Sequence, residues 1–501
     1  MRFFELLILV TLLLAITVRF WRTERRPRWA KYLPGLAVLL IPIQLVLEGY
    51  RWQMVPAYTL AGLLFAITTL ELSRRRNNAP TRWGRTVVRG IGLTLGLVLF
   101  TIAAGLPALF PVFQLPEPTG PYAVGTTSFV YSDESRQEIF TDIQDDHRLV
   151  YVQVWYPAQA TAGYTRLPLW IDPEQITPAL AKDFLVPEFV FSHFELIESN
   201  SYLAAPVATQ DSSYPVLVYS HGYDVGFFAQ NTVQMEELAS HGYVVFSVGH
   251  AYESSIVFDG EGNSIGTNKS RIGAFYKEGE ETAELYAKTY FPTGDEQIQA
   301  AREWLAATPL ANQSIQIWTQ DTQFVLSQIE RMNRGEVNSP FRGQLDTARI
   351  GIFGQSFGGG TAFQVCAVDT RCKAALNIDG TQWGTLLETP LQTPFLMMYG
   401  ERSDRLNDWV LNTSPASGYS LRVNGASHIN FTDFNLVSPL FKLPYLGILG
   451  EIDTRQMERI MNAYTLAFFD QTLRGVASPL FQGFSIDYLE VELHTFGSTS
   501  K

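Results

Sequence analysis

A serine set among glycines, Gly354-Gln355-Ser356-Phe357-Gly358, is where this chain could do chemistry. A serine hydroxyl is a weak nucleophile until a base takes its proton, so a histidine and an orienting carboxylate are needed elsewhere. Behind a nucleophile elbow the chain order is serine, acid, histidine. Of seven histidines only His428 and His494 follow Ser356. His428, in Gly425-Ala426-Ser427-His428-Ile429-Asn430-Phe431 just past the apolar run Tyr419–Val423, is the expected base. His494 lies near a polar terminus and reads as a solvated group; His221 is expected to shape its glycine turn, and His241 and His250 to end elements. Two carboxylates compete for the orienting role. Asp379 follows the run Ala374–Ile378, and Asp404 follows the next run, Phe395–Tyr399, where such an acid more often sits. Position alone slightly favours Asp404. The charge that develops on an attacked carbonyl oxygen needs fixed N–H donors. The amide of Phe357, directly after the serine, is one; the amide of Tyr223, after Ser220-His221-Gly222, is expected as the other. This chemistry needs no metal or organic cofactor, and no Cys/His cluster has metal-ligand spacing.

The elements that must hold these groups are legible as periodicity. Ile350–Phe353 is a short apolar run suited to a buried strand; after the glycines, Thr361 to Val368 suits a helix. A strand, sharp turn and helix make the elbow, with glycines where a side chain would meet backbone. A second match to the pattern, Gly262-Asn263-Ser264-Ile265-Gly266, has turn residues before it and polar residues after it, so it reads as a hairpin loop. Leu149–Trp155, Val216–Tyr219 and Tyr243–Val248 read as further strands, with helices expected over Gln230–Ser240 and Thr319–Met332. Residues 157–213 and 251–312 read as irregular insertions. The alternation predicts a mostly parallel sheet with helices on both faces. The stretch Phe434–Leu449, rich in Leu, Phe and Tyr, follows His428 directly and is expected near the mouth of the site.

Charge divides the 501 residues in two. Residues 1–120 hold 14 Lys and Arg against 5 Asp and Glu, a balance of +9, and the remainder stands at −21. The acidic portion argues against nucleic acid as a partner. The basic portion contains four apolar runs, at residues 3–18, 33–47, 54–70 and 90–113, expected to cross a membrane. Six basic residues lie between the first two (Arg19, Arg22, Arg25, Arg26, Arg28, Lys31), and six between the last two (Arg74, Arg75, Arg76, Arg82, Arg85, Arg89). The positive-inside rule puts both loops in the cytoplasm and both chain ends outside, giving an integral protein of the plasma or inner membrane. Residues 1–114 then form the membrane region, the Pro-rich stretch 115–121 a linker and 122–501 the catalytic part. Cys366 and Cys372 are spaced to close a small disulfide loop, which would persist outside the cytoplasm; two buried thiols are the alternative.

From about Tyr122 to Leu473 the chain resembles the platelet-activating factor acetylhydrolases, the plasma and type II group. The resemblance rests on Ser220-His221-Gly222, Ala239-Ser240-His241-Gly242-Tyr243, Gly354–Gly359, Ile378-Asp379 and Ser427–Phe434, with Gly450-Glu451-Ile452-Asp453 near the end. It implies an α/β-hydrolase fold. It implies that the acid follows the strand ending Ile378-Asp379, 23 residues after Ser356, so the expectation moves to Asp379 with Asp404 the alternative; it also matches Tyr223 as oxyanion donor. The implied activity is a membrane-tethered serine esterase acting on short sn-2 acyl groups of phospholipids. A broad carboxylesterase or polyester hydrolase, an acyltransferase, and a membrane sensor with a vestigial hydrolase domain are the rival readings. The N-terminal apolar runs depart from the family pattern.

Overall fold

The computed structural model describes residues 1–19, 21, 27–73, 82–290, 294–401 and 408–497, with 82–89 described by backbone alone. Asp404 therefore lies outside the described residues, as do Arg22, Arg25, Arg26, Arg74, Arg75 and Arg76. The chain divides into two compact units. One holds Met1–Gln114 with the segments Val186–Ile197 and Val437–Leu440; the other holds the rest. The expected boundary at 115–121 thus begins the second unit, and two short segments beyond it group with the first.

The first unit is helical: α1 (Phe3–Arg19), α2 (Leu33–Glu48), α3 (Val55–Ser73) and α4 (Arg82–Leu109). Ile8, Leu12, Ile16, Ala37, Leu60 and Leu64 pack inside it. Other apolar residues of these helices face outward, Val46 at 82% and Leu39 at 66% exposure. Three stretches, Arg28–Glu48, Trp52–Ser73 and Gly90–Leu109, are long and apolar enough to cross a membrane. α1 is shorter, at 17 residues. Its buried Glu5 accepts two hydrogen bonds from Arg51, both at 2.6 Å, and the Arg51 side chain also donates to the Phe110 carbonyl at 2.9 Å.

The second unit is built on one sheet. In chain order its strands are β1 (Ala123–Gln137), β2 (His147–Ala158), β3 (Arg166–Pro168), β4 (Glu198–Leu203), β5 (Tyr214–Ser220) and β6 (Val244–His250); a separate hairpin β7 (Val257–Phe258) and β8 (Ser264–Ile265); then β9 (Leu345–Gln355), β10 (Cys372–Ile378), β11 (Phe395–Gly400), β12 (Gly418–Val423) and β13 (Val491–Phe496). The order across the eleven-stranded sheet is β13-β12-β11-β10-β9-β5-β6-β2-β1-β4-β3. The six strands from β12 to β6 run parallel, flanked by antiparallel β13 and the antiparallel β2/β1 pair. Their side chains alternate between two buried faces, which is why the central strands read as unbroken apolar runs. Val216, Val218, Ile350 and Ile352 join a core with Val325 and Ile329 of the helix Pro309–Arg334 and Phe363 of the helix Phe357–Val368. On the other face Phe353 meets Phe469 of the helix Thr454–Phe469, and Gly351 leaves room for that ring: a Cβ there would stand 2.6 Å from it.

Three readings need correction. The insertion at 251–312 is not irregular; it holds β7 and β8 and the helices Lys269–Glu281, Ala283–Lys288 and Asp295–Ala307. Polar, Glu- and Gln-rich sequences hid their weak amphipathic faces. The insertion at 157–213 likewise holds β3, the helix Pro173–Asp183 and β4. The polar terminus carries the edge strand β13, paired to β12 over its whole length, with His494 opposite Ser420. The second GxSxG match forms the β7/β8 hairpin, with Ser264 on its second strand.

Candidate active site

β9 delivers the chain to Ser356 and the helix Phe357–Val368 leaves from it. The turn between them is sterically forced. Ser356 sits at φ 57°, a left-handed conformation rare for a residue with a side chain, and its N–H is tied to the Ile378 carbonyl at 2.8 Å. A Cβ at Gly354 would lie 2.2 Å from the Gly358 carbonyl oxygen, and one at Gly358 2.0 Å from that of Ser220.

β10 delivers Asp379 at the same edge of the sheet. It too is left-handed, at φ 54°, and the preceding Asn377 clamps the turn: its Oδ1 accepts from the Gly380 N–H at 2.8 Å and its Nδ2 donates to the Gly380 carbonyl at 3.0 Å. The carboxylate is buried; its Oδ1 accepts the Gly400 N–H at 2.8 Å. His428 opens a 3₁₀ turn, His428–Phe431, after β12, capped reciprocally by Ser427 and Asn430. Its Nδ1 lies 2.6 Å from Asp379 Oδ2 and its Nε2 2.9 Å from Ser356 Oγ. Facing a carboxylate, Nδ1 carries the proton, so Nε2 is free to accept the serine hydroxyl. A serine, imidazole and carboxylate so linked can transfer a proton from the hydroxyl as it attacks an acyl carbon.

Beside the serine are two amides, Tyr223 and Phe357, and neither N–H has an acceptor among the described residues. The Tyr223 turn is tight: a Cβ at Gly226 would stand 2.1 Å from the Gly222 carbonyl oxygen. His221 is fully buried and held well below its usual pKa by burial; its Nδ1 lies 2.7 Å from the Gly222 carbonyl. Two glutamines, Gln355 of the elbow motif and Gln230, join this turn to the elbow. Gln230 accepts the Gly222 N–H at 3.2 Å and donates to Gln355 Oε1 at 3.0 Å, while Gln355 Nε2 lies 3.3 Å from His428 Nε2.

The remaining named residues lie apart. His494 is exposed on the edge strand β13; His241 caps the helix Thr232–Ser240; His250 ends β6, buried against Asp321. Cys366 and Cys372 are disulfide-bonded, with Cα atoms 5.2 Å apart. Among the described residues no group of His, Cys, Asp or Glu could hold a metal ion.

Ser356, Asp379 and His428 open into a cavity of about 740 Å³ with a largely aromatic lining. Tyr223, Phe275, Tyr286, Phe357 and Trp383 form much of it; Phe434, Phe441 and Ile448 come from the stretch after His428. Tyr445 and Leu446 of that stretch are exposed instead.

The sequence pattern of the family "Platelet-activating factor acetylhydrolase, isoform II" matches residues 108–477. The chain belongs to this family. Among its relatives is the platelet-activating factor acetylhydrolase of Cavia porcellus, 24% identical over 378 residues, covering 72% of this chain and 78% of that one. Another is a probable 1-alkyl-2-acetylglycerophosphocholine esterase of Arthroderma benhamiae, 25% identical over 429 residues, covering 79% and 96%. A ferulic acid esterase from Streptomyces cinnamoneus shares the α/β-hydrolase fold, with a TM-score of 0.59 at 22% identity over 76% of this chain and 99% of that one. The family's reaction class is ester hydrolysis, and the described fold and cavity suit it.

Proposed function

We propose that this platelet-activating factor acetylhydrolase relative is a membrane-anchored serine esterase whose catalytic unit faces away from the cytoplasm and removes short sn-2 acyl groups from phospholipids. The observation that carries this reading is the hydrogen-bonded series Ser356–His428–Asp379 with two unpaired amides beside the serine. Ser356 Oγ attacks the ester carbonyl as its proton passes to His428 Nε2. Asp379 holds the imidazole tautomer, and the N–H groups of Tyr223 and Phe357 receive the oxyanion. The imidazolium then protonates the departing lysophospholipid oxygen, leaving an acyl-Ser356. Water, deprotonated by His428, releases the acid and restores the serine.

Anchoring is supported by the three long apolar helices and by the outward-facing apolar side chains of the first unit. α1, at 17 residues, stands at the lower end of the roughly 17–25 residues that span a bilayer, and counting it as a fourth crossing leaves both basic loops on one side. A tether of this kind holds the active unit where lipid is concentrated. The cavity beside Ser356 is lined largely by aromatic and apolar side chains, which suits a substrate with apolar groups.

The test is a matched series of phosphatidylcholines differing only at sn-2. Rates should be highest for acetyl to about hexanoyl chains, an order-of-magnitude range for a compact acyl pocket, with little activity on long chains. Preference for long chains, or none for phospholipids over simple soluble esters, would leave a general carboxylesterase.

A further inference from the structure

Beneath the turn that carries the Tyr223 amide lies a carboxylate to which the catalytic reading gives no task. Glu253 is fully buried, just after β6, in a turn where its N–H donates to the His250 carbonyl at 3.3 Å. Four donors from three separate stretches converge on it. Oε1 accepts from the Tyr223 hydroxyl at 2.9 Å, the Ser314 hydroxyl at 2.5 Å and Arg271 Nε at 3.2 Å; Oε2 accepts from the Trp318 indole N–H at 2.9 Å. The backbone carbonyl of the same residue accepts the Asp224 N–H at 3.0 Å.

Glu253 therefore grips the chain at two consecutive residues, by the Tyr223 side chain and by the Asp224 amide. Asp224 is left-handed, at φ 64°, a conformation that persists only where its surroundings impose it. With both residues fixed, the direction of the Tyr223 N–H is fixed as well. The surroundings hold Glu253 in turn. Arg148 donates to the Ala251 carbonyl at 3.0 Å and pairs with Asp321 at 2.8 Å, and Asp321 also bonds His250 at 2.9 Å. Phe275 stacks on the Tyr223 ring at 4.1 Å.

We propose that Glu253 is the positioning residue of the oxyanion hole: it holds the Tyr223 N–H where the developing oxyanion will be, and so acts on the transition state without touching substrate. This rests on the reading of Ser356 as the nucleophile. An N–H fixed before the reaction stabilises the oxyanion without reorganising, whereas one left to swing loses much of that effect.

Glu253→Gln places an NH₂ group among N–H and O–H donors; Tyr223→Phe removes one donor and keeps the ring stack. Both variants of the full chain are assayed on p-nitrophenyl butyrate and with a trifluoromethyl ketone, which Ser356 would attack to give a stable oxyanion. Glu253→Gln should lower kcat about 10- to 100-fold and Tyr223→Phe about 3- to 10-fold, with KM within about threefold. The ketone's inhibition constant should rise by the same factor as kcat/KM falls. If Glu253→Gln does not fold, Tyr223→Phe alone decides. Ketone affinity unchanged in a folded variant, or a loss residing in KM, overturns the proposal. Activity abolished in Ser356→Ala but intact in both variants removes the positioning role and leaves the nucleophile standing. A wild-type chain that neither cleaves the ester nor binds the ketone removes both.

Discussion

Replacing Asp379 by asparagine changes one atom and offers the side chain two orientations, neither of which works. With its carbonyl oxygen toward His428, the new NH₂ faces the Gly400 N–H, which now donates to Oδ1 at 2.8 Å. Two donors then confront each other in a buried place, at about 1–3 kcal/mol of stability. With the amide reversed, Gly400 keeps its acceptor, but the NH₂ faces His428 Nδ1 across the present 2.6 Å contact. The imidazole must then carry its proton on Nε2, facing Ser356 Oγ at 2.9 Å, and cannot accept the hydroxyl proton. The second arrangement costs less in folding and more in catalysis. Wrong-tautomer loss in the serine–histidine–aspartate template is about 10⁴-fold in kcat, or about 5.4 kcal/mol of barrier. The assay compares initial rates of Asp379→Asn, Asp404→Asn and the parent on a short-chain nitrophenyl ester, with thermal unfolding as the check on folding. Asp404→Asn should stay within about tenfold of the parent. A folded Asp379→Asn within tenfold of the parent, or an Asp404→Asn that loses more, would refute the assignment of the acid.

Other outcomes follow from the same structure. Removing the Cys366–Cys372 bond by paired Ser substitution should cost about 2 kcal/mol, the loop-closure value for so short a loop, read as a lower denaturant midpoint; no change would contradict it. Burial pushes the Glu236 carboxyl up to about 7 against the hydrogen bonds of Asn200 and Ser201 that favour its ionised form. The folded state thus holds that proton more tightly, and the stability this gives is complete below about pH 4.5 and lost as pH rises through 7. Glu236→Gln should therefore gain on the parent by up to about 3 kcal/mol between pH 5 and 8; a difference flat with pH would exclude this. A phosphatase reporter fused after residue 125 should be active, and a cytoplasm-only reporter silent; the reverse pattern defeats the proposed orientation.

Sequence made some features legible and hid others for definite reasons. Val216–Tyr219 and Ile350–Phe353 announce strands because both faces of β5 and β9 are covered, leaving no polar alternation to blur the signal. The elbow is legible because Gly354 and Gly358 stand where no side chain fits. Residue order alone could not choose between Asp379 and Asp404, since each follows in sequence one of two neighbouring parallel strands, β10 and β11. The left-handed turn at Asp379, clamped by Asn377, aims that carboxylate; the Asp379-Gly380 pair marks a turn in sequence but not where the carboxylate points. The outer portion of β1, Ser132 to Gln137, carries no strand signal because it is polar, and it pairs with β2 only through Ser132, Asp133 and, past a bulge, Gln137. The roles of Gln230, Gln355 and Glu253 are hidden in sequence for another reason. Their importance lies in whom they touch, 125 positions away for Gln230 and Gln355 and 65 for Glu253 and Trp318. The stretch after His428 divides: Phe434, Phe441 and Ile448 line the cavity, while Val437–Leu440 belongs to the helical unit.

The central claim is that Ser356 is an activated nucleophile. Its most direct test is to treat the detergent-solubilised full chain with a fluorophosphonate and map the adduct by peptide mass spectrometry. One adduct per chain should form, on the peptide containing Ser356. It should be absent in Ser356→Ala and slowed by orders of magnitude in His428→Ala, because the hydroxyl reacts only through its base. A chain that stays unlabelled, or one labelled equally well after Ser356→Ala, would contradict the account.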